Sequence, residues 1–170
     1  MSKIENLNFY IVEDGYIEYA SRWDHHIAYN KNNKRPYVGI VLKINDFSYF
    51  SPMFSPKKQH EGYKENLTFF KMYGNGNKRD YLGLIRFADM IPVTEKAIEL
   101  LDFRDYRNLY SMLLVKQYNY INIPENKKRI KEKAKKLYNI INSDKENKTT
   151  YFYKKLCCNF KLLEEKLTRY

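Results

Sequence analysis

A single α+β domain, a β-rich core followed by packed helices, is the fold class this sequence predicts. Short runs of β-branched and aromatic residues, broken at close intervals by Asn, Asp, Gly and Pro, fill the first half. From residue 106 onward, apolar residues recur instead at helical spacing. At 170 residues, with no internal repeat and no low-complexity linker, the chain has the length of one domain (1–170) able to bury a real core.

Residues 7–12 read as a first strand, and Asp14 as the cap of a short helix carrying Tyr16, Tyr19, Ala20 and Trp23. Residues 24–36 are polar and hold Asn30, Asn32 and Asn33 close together, which makes a loop. The nearly unbroken apolar run 37–44 is a buried strand; Asn45-Asp46 turns the chain, and 47–51 returns as its hairpin partner. Residues 67–73 give a further strand, 74–78 a turn, and 81–85 and 90–93 more β-structure. Several short strands with tight turns point to a small, strongly bent sheet or barrel. Helices follow over 106–122 (Leu109, Met112, Leu113, Lys116, Tyr120) and 125–142 (Ile130, Ala134, Leu137, Ile141). A last helix, capped by Thr149 or Thr150, aligns Leu156, Phe160, Leu163 and Leu167 on one stripe. The stripes are core-facing, and the lysine-rich stretch 127–136 is either a solvated face or an RNA contact.

The net charge of +11 and pI near 9.4 call for a polyanionic partner. No long uncharged apolar run exists and residues 1–6 lack the apolar region of a signal peptide, so a cytoplasmic protein with no membrane role is expected. The 17 tyrosines among many lysines fit a stacking-plus-phosphate surface for RNA, although A/T-biased codons produce the same enrichment. Cys157 and Cys158 are adjacent, which suits neither a zinc site nor an unstrained disulfide and predicts reduced core thiols. His25, His26 and His60, without an HExxH or CxxC pattern, predict no metal, and no cofactor loop is present; 74–77 reads as a hairpin turn rather than a phosphate cradle.

The stretch Ser55-Pro56-Lys57-Lys58-Gln59-His60 places a hydroxyl, two ammonium groups and an imidazole within six positions. Pro56 fixes φ and marks a rigid loop just past a strand end. Such a loop suits a phosphodiester, the alternative being a basic surface turn. If the partner is RNA and is cut without a metal, the 2′-hydroxyl is the nearest nucleophile. One group must accept its proton, another protonate the leaving 5′ oxygen, and a third stabilise the phosphorane. Lys57 is a cation for the phosphate, Ser55 a donor to a non-bridging oxygen, and His60 an acid or base by residue type. Residues 24–36 add the Tyr29 hydroxyl and Lys34 or Arg35 as phosphate clamps. The 37–51 strand pair brings the two loops together, because one strand's entry lies beside its antiparallel partner's exit. A non-catalytic RNA-binding protein, with Tyr and Lys on the same core, is the alternative reading.

At these residues the chain resembles the type III toxin–antitoxin endoribonucleases, the ToxN/AbiQ family. The matching blocks are Arg35-Pro36-Tyr37-Val38-Gly39-Ile40-Val41-Leu42, the Ser55 to His60 loop, Gly83-Leu84-Ile85 with Met90-Ile91-Pro92, and residues 158–166; the helix with Lys116-Gln117 fits between the last two. The resemblance implies a compact SH3-like barrel close to that of the MazF/Kid toxins, elaborated with helices. It implies metal-independent cleavage of A-rich RNA to a 2′,3′-cyclic phosphate and a role in phage-triggered abortive infection. It further implies a pseudoknot RNA antitoxin, cut from a tandem-repeat transcript by the toxin itself and held in a closed protein–RNA ring; no DNA partner is implied. Carried over by position, Ser55 and Lys57 match the family's catalytic loop, with Tyr29 and Arg35 as nearest equivalents of its tyrosine and basic residue. Lys34, Lys58, His60, Lys71 and Lys116 complete the expected RNA contacts. Phe54 stands where some relatives carry threonine, and Gln59 where some carry tryptophan.

Overall fold

The computed structural model describes residues 5–103 and 108–170. Residues 1–4 of the segment read for a targeting signal, and 106–107 at the start of the first long helix, lie outside that range. The elements run β1 (Asn8–Val12), α1 (Asp14–Ser21), β2 (Pro36–Ile44), β3 (Phe47–Phe54), β4 (Phe69–Tyr73), β5 (Tyr81–Arg86), β6 (Ile91–Pro92), β7 (Ile98–Leu100), α2 (Leu109–Ile121), α3 (Pro124–Ile141), α4 (Lys148–Leu156) and α5 (Phe160–Leu167). This is the α+β class, with helices gathered in the C-terminal half.

All seven strands join one antiparallel sheet, in the order β4-β5-β3-β2-β1-β7, with β6 beside β3. β3 is its hub. One edge pairs with β2; the other pairs first with β6 (Tyr49↔Pro92) and then with β5 (Met53↔Ile85). The sheet is open among the described residues, since β4 and β7 end the order rather than meeting as a closed barrel requires. Helices occupy the β4 end instead. Tyr120 of α2 packs edge-on against Tyr73 and beside Phe70, and Lys133 of α3 donates to the Phe69 carbonyl at 2.7 Å.

Several local expectations change. Asp14 is the first helical residue rather than the cap; Glu13 takes the cap position and makes no side-chain cap bond. Trp23 lies past the end of α1, 45% exposed, under the Lys166 ammonium at 3.7 Å. The buried face of α2 is Leu114, Gln117 and Ile121, while Leu109 is 84% exposed, so the inward stripe is turned from the one expected. The last helix is two helices. Asn147 caps α4 and Asn159 caps α5, and at the break Cys158 N–H donates to the Ala88 carbonyl at 2.9 Å. Cys157 and Cys158 are buried free thiols, and burial pushes the Cys157 thiol up to about 12. α3 matches its expected stripe, with Ile130, Ala134, Leu137 and Ile141 all buried.

Candidate functional site

The β2–β3 pairing sets Tyr37 opposite Pro52, so the loop entering β2 and the loop leaving β3 emerge side by side. Arg35 staples them. Its Nε donates to the Tyr29 carbonyl at 2.6 Å and its Nη1 to the Met53 carbonyl at 3.0 Å, with the guanidinium 4.3 Å over the Phe54 ring. Burial is the main influence lowering its pKa, countered by Tyr37, Asp89 and Tyr110. Two of the Arg35 donor groups thus serve the backbone.

The 30s loop is held by side chains from beyond it. The Asp14 carboxylate accepts from Asn30 Nδ2 at 2.7 Å and from Asn33 N–H at 3.1 Å, and Asn33 Oδ1 accepts from Asp14 N–H at 2.7 Å. Asn30 Nδ2 also reaches the Val12 carbonyl, and the Asn30 carbonyl accepts from both Lys34 and Arg35 N–H. Lys31, Asn32 and Asn33 all have positive φ, a tight left-handed turn that asparagine tolerates well. The other loop is set by Gly83, whose φ is +107; a Cβ there would lie 2.2 Å from the Phe54 carbonyl oxygen, just before Ser55.

Ser55, Lys57 and Lys58 are exposed, the last opening a short 3₁₀ turn over Lys58–Gly62. His60 lies at the centre of that turn and is only 4% exposed. Its Nδ1 meets Tyr81 Oη at 2.7 Å, and its ring packs against Tyr63 and Tyr81. Burial lowers the His60 pKa, and Lys57 and Lys71 lower it further. Those surroundings suit a loop-shaping residue and leave little surface for RNA. Lys71 donates to the Tyr63 carbonyl at 3.2 Å, beside the same turn. Lys31 has its own pKa lowered by desolvation, then by Arg35 and Lys57, which places these three cations in one field.

A cavity of about 350 Å³ lies between the loops and α2. Its wall includes Ser55, Lys31 and Lys34 with Ile11, Met53, Phe54, Tyr110, Leu113 and Gln117. Tyr29, 71% exposed, stands beside Arg35 through its backbone. Lys116 is not part of this group; its ammonium pairs with Asp80 at 3.2 Å. Lys31 and Tyr81 were not singled out by sequence reasoning, and Gln117 entered only as part of the Lys116-Gln117 pair, with no role of its own. Lys31 sits in a loop that was singled out, so its neighbourhood was legible; the other two are brought in only by β5 and α2. Among the described residues, no carboxylate lies within ion-pair distance of Lys31, Lys34, Lys57 or Lys58. An exposed hydroxyl among ammonium groups without carboxylate partners has the chemistry to hold an anion such as a phosphodiester.

A different cavity is lined by Asp24, His25, His26, Cys157 and Cys158. The Asp24, His25 and His26 ligand atoms lie within 4.8 Å of one another, a grouping the sequence reading set aside. Asp24 and His26 are engaged with protein: Asp24 Oδ1 meets His26 Nδ1 at 2.9 Å, Oδ2 accepts from Asn159 N–H at 2.6 Å, and His26 Nε2 faces the Lys155 carbonyl at 3.1 Å.

Residues 8–168 match the family model for the toxin ToxN of type III toxin–antitoxin systems. The chain is 36% identical to endoribonuclease ToxN of Pectobacterium atrosepticum over 166 residues, covering 94% of this chain and 91% of that one. It superposes with a TM-score of 0.86 and 30% identity on a structure described as a type III toxin inhibited by a non-coding RNA pseudoknot, over 98% of both chains. AbiQ, a lactococcal anti-phage endoribonuclease, gives a TM-score of 0.86 at 32% identity, again over 98% of both.

Proposed function

From the premise that this chain belongs to the ToxN family of type III toxin–antitoxin toxins, we propose that it cuts RNA at the cavity rim formed by the Ser55 loop and the 30s loop. It is an endoribonuclease toxin, and its partners are RNA: the transcripts it cuts and a non-coding pseudoknot antitoxin in a system of phage defence. Residues 1–170 act as one toxin domain in the cytoplasm. No described helix is long and apolar enough to cross a membrane. The open sheet is taken as a variant of the SH3-like core of MazF/Kid toxins.

The observation that carries the site assignment is the set of lysines with no carboxylate partner, among the described residues, around the exposed Ser55. A scissile phosphate supplies the missing anion. Lys57 faces the developing phosphorane charge and Ser55 donates to a non-bridging oxygen. The 2′-hydroxyl loses its proton to a general base and attacks phosphorus; the P–O5′ bond breaks and the 5′ oxygen takes a proton. The products are a 2′,3′-cyclic phosphate and a 5′-hydroxyl, with no metal in the step. Tyr29 is the exposed hydroxyl on the opposite loop. Arg35 acts on the phosphate mainly by fixing that loop, and Lys34 and Lys58 hold flanking phosphates. The preferred substrate is A-rich RNA, and the antitoxin occupies the same cationic surface within a protein–RNA ring.

An A-rich oligonucleotide with a single 2′-deoxy substitution at the cut tests this. The substituted strand should stay intact while its all-ribose counterpart yields cyclic-phosphate ends, with or without chelator. Cleavage of the deoxy strand at a comparable rate would exclude 2′-hydroxyl attack.

A further inference from the structure

Gln117 is 2% exposed on the inner face of α2 and lines the cavity that also contains Ser55. Its Nε2 donates to the Leu82 carbonyl of β5 at 2.7 Å, which fixes the direction of the amide. Its Oε1 is buried and has no hydrogen-bond partner among the described residues. A buried acceptor without a donor is rare in a folded protein and points to a group supplied from outside. Most of the wall, including Ile11, Met53, Phe54, Leu113 and Leu114 with Tyr110, is apolar or aromatic, and Asn33 and Ser55 are its other neutral polar members. Lys31 and Lys34, also in the wall, are its charged members among the described residues. At about 350 Å³ the cavity falls in the size range of small-ligand sites, roughly 300–1,000 Å³.

We infer that this cavity is a nucleobase pocket, and that Gln117 is the specificity-determining residue that reads the exocyclic amino group of a base next to the cut. The chemistry follows from the amide's fixed direction. With one Nε2 hydrogen donated to Leu82, the amide's direction is fixed and its unpartnered atom is the acceptor Oε1, which pairs with the amino group of an adenine or cytosine and faces unfavourably the keto oxygen that uracil carries there. The apolar walls take the faces of the base, and Tyr110 offers a ring for stacking. Ser55 belongs both to the wall and to the proposed cleavage loop, so a base seated here is a neighbour of the phosphate Ser55 contacts. Lys31 and Lys34 then meet that nucleotide's backbone.

This inference rests on the Ser55 loop being the cleavage site, and the two fail differently. The probe is a set of A-rich RNAs in which one adenosine at a time, on either side of the cut, is replaced by purine riboside, an isostere lacking only the amino group. At one position the wild-type chain should lose about 5- to 150-fold in kcat/KM and in equilibrium affinity, since leaving a buried acceptor unpaired costs about 1–3 kcal/mol. Gln117→Leu, checked for an unchanged fold by circular dichroism, should treat the two RNAs alike at that position. Leu113→Trp, which fills the cavity while keeping the Gln117 side chain, should do the same if Gln117→Leu does not fold. Equal handling of both RNAs by the wild-type chain, or full discrimination retained by a folded Gln117→Leu or Leu113→Trp chain, overturns the pocket. Discrimination in binding by a wild-type chain that cuts none of the RNAs leaves the pocket standing and removes the cleavage site.

Discussion

On the helical side of the sheet, buried Glu164 and half-buried Lys133 are joined to charged or polar protein groups. Glu164 accepts from Tyr49 and Tyr138 hydroxyls, each at 2.7 Å, and pairs with Lys161 at 3.5 Å. Glu65 takes both Arg129 and Lys133 at 3.2 Å. At the cavity rim, Lys31, Lys34, Lys57 and Lys58 have no carboxylate among the described residues, and buried Arg35 is satisfied by main-chain carbonyls and a phenyl ring instead. Carbonyls hold a guanidinium in place without neutralising it. The helical layer uses charge to join elements; the rim keeps its charge for a ligand. Burial is the main influence lowering the pKa of Lys31 and His60, and repulsion from Lys57 adds to it in both cases.

The largest expected effect tests the rim. Lys57→Ala and Ser55→Ala should each lower the RNA cleavage rate by about 10²–10³-fold, the range found when a charge-stabilising donor is removed. Because both residues are exposed, thermal stability should move by no more than about 0.5 kcal/mol. Cleavage that survives both changes breaks the contrast, since the rim would then carry no function.

Glu164→Leu tests the other side. It strands two tyrosine hydroxyls in the core and should cost about 2–4 kcal/mol in denaturant unfolding. Cleavage per folded molecule should be unchanged. A loss of activity larger than the folded fraction accounts for would mean that the helical layer reaches the site.

His60 sharpens the comparison with the smallest effect. Its folded pKa lies below the ordinary value of 6.5, so the unfolded chain binds more protons as pH falls through that value. The stability contributed by neutral His60 is present above about 6.5 and is lost as pH falls below it. Asp89 acts oppositely. Burial raises it to about 6, so the stability linked to its protonated form is lost as pH rises from near 4 through 6. The difference in melting temperature between wild type and His60→Asn, measured from pH 7.5 to 5, cancels Asp89 and should shrink as the pH falls. A constant difference would mean that His60 does not titrate against its lysine neighbours.

Much of this molecule was readable along the chain. The hairpin at Asn45-Asp46, the loop after β3, the stripe of α3 and the pairing of the Ser55 loop with the 30s loop follow from alternation, helical period, turn residues and antiparallel geometry. These are short-range regularities, set by each residue's neighbours in sequence. What the tertiary structure decided depends on groups far apart in the chain. Ala88 and the Asn159 cap divide the last helix. Asp14 leaves its expected capping role to anchor Asn30 and Asn33. The inward face of α2 is the one that lets Gln117 reach Leu82, and helices at the β4 end keep the sheet open. The same holds for function: residue types named Ser55 and Lys57, but only packing showed that His60 is buried against Tyr81, that Lys116 belongs to Asp80, and that the rim lysines have no carboxylate partner among the described residues. Electrostatic partnership and burial are sums over spatial neighbours, and no local pattern along the chain contains them.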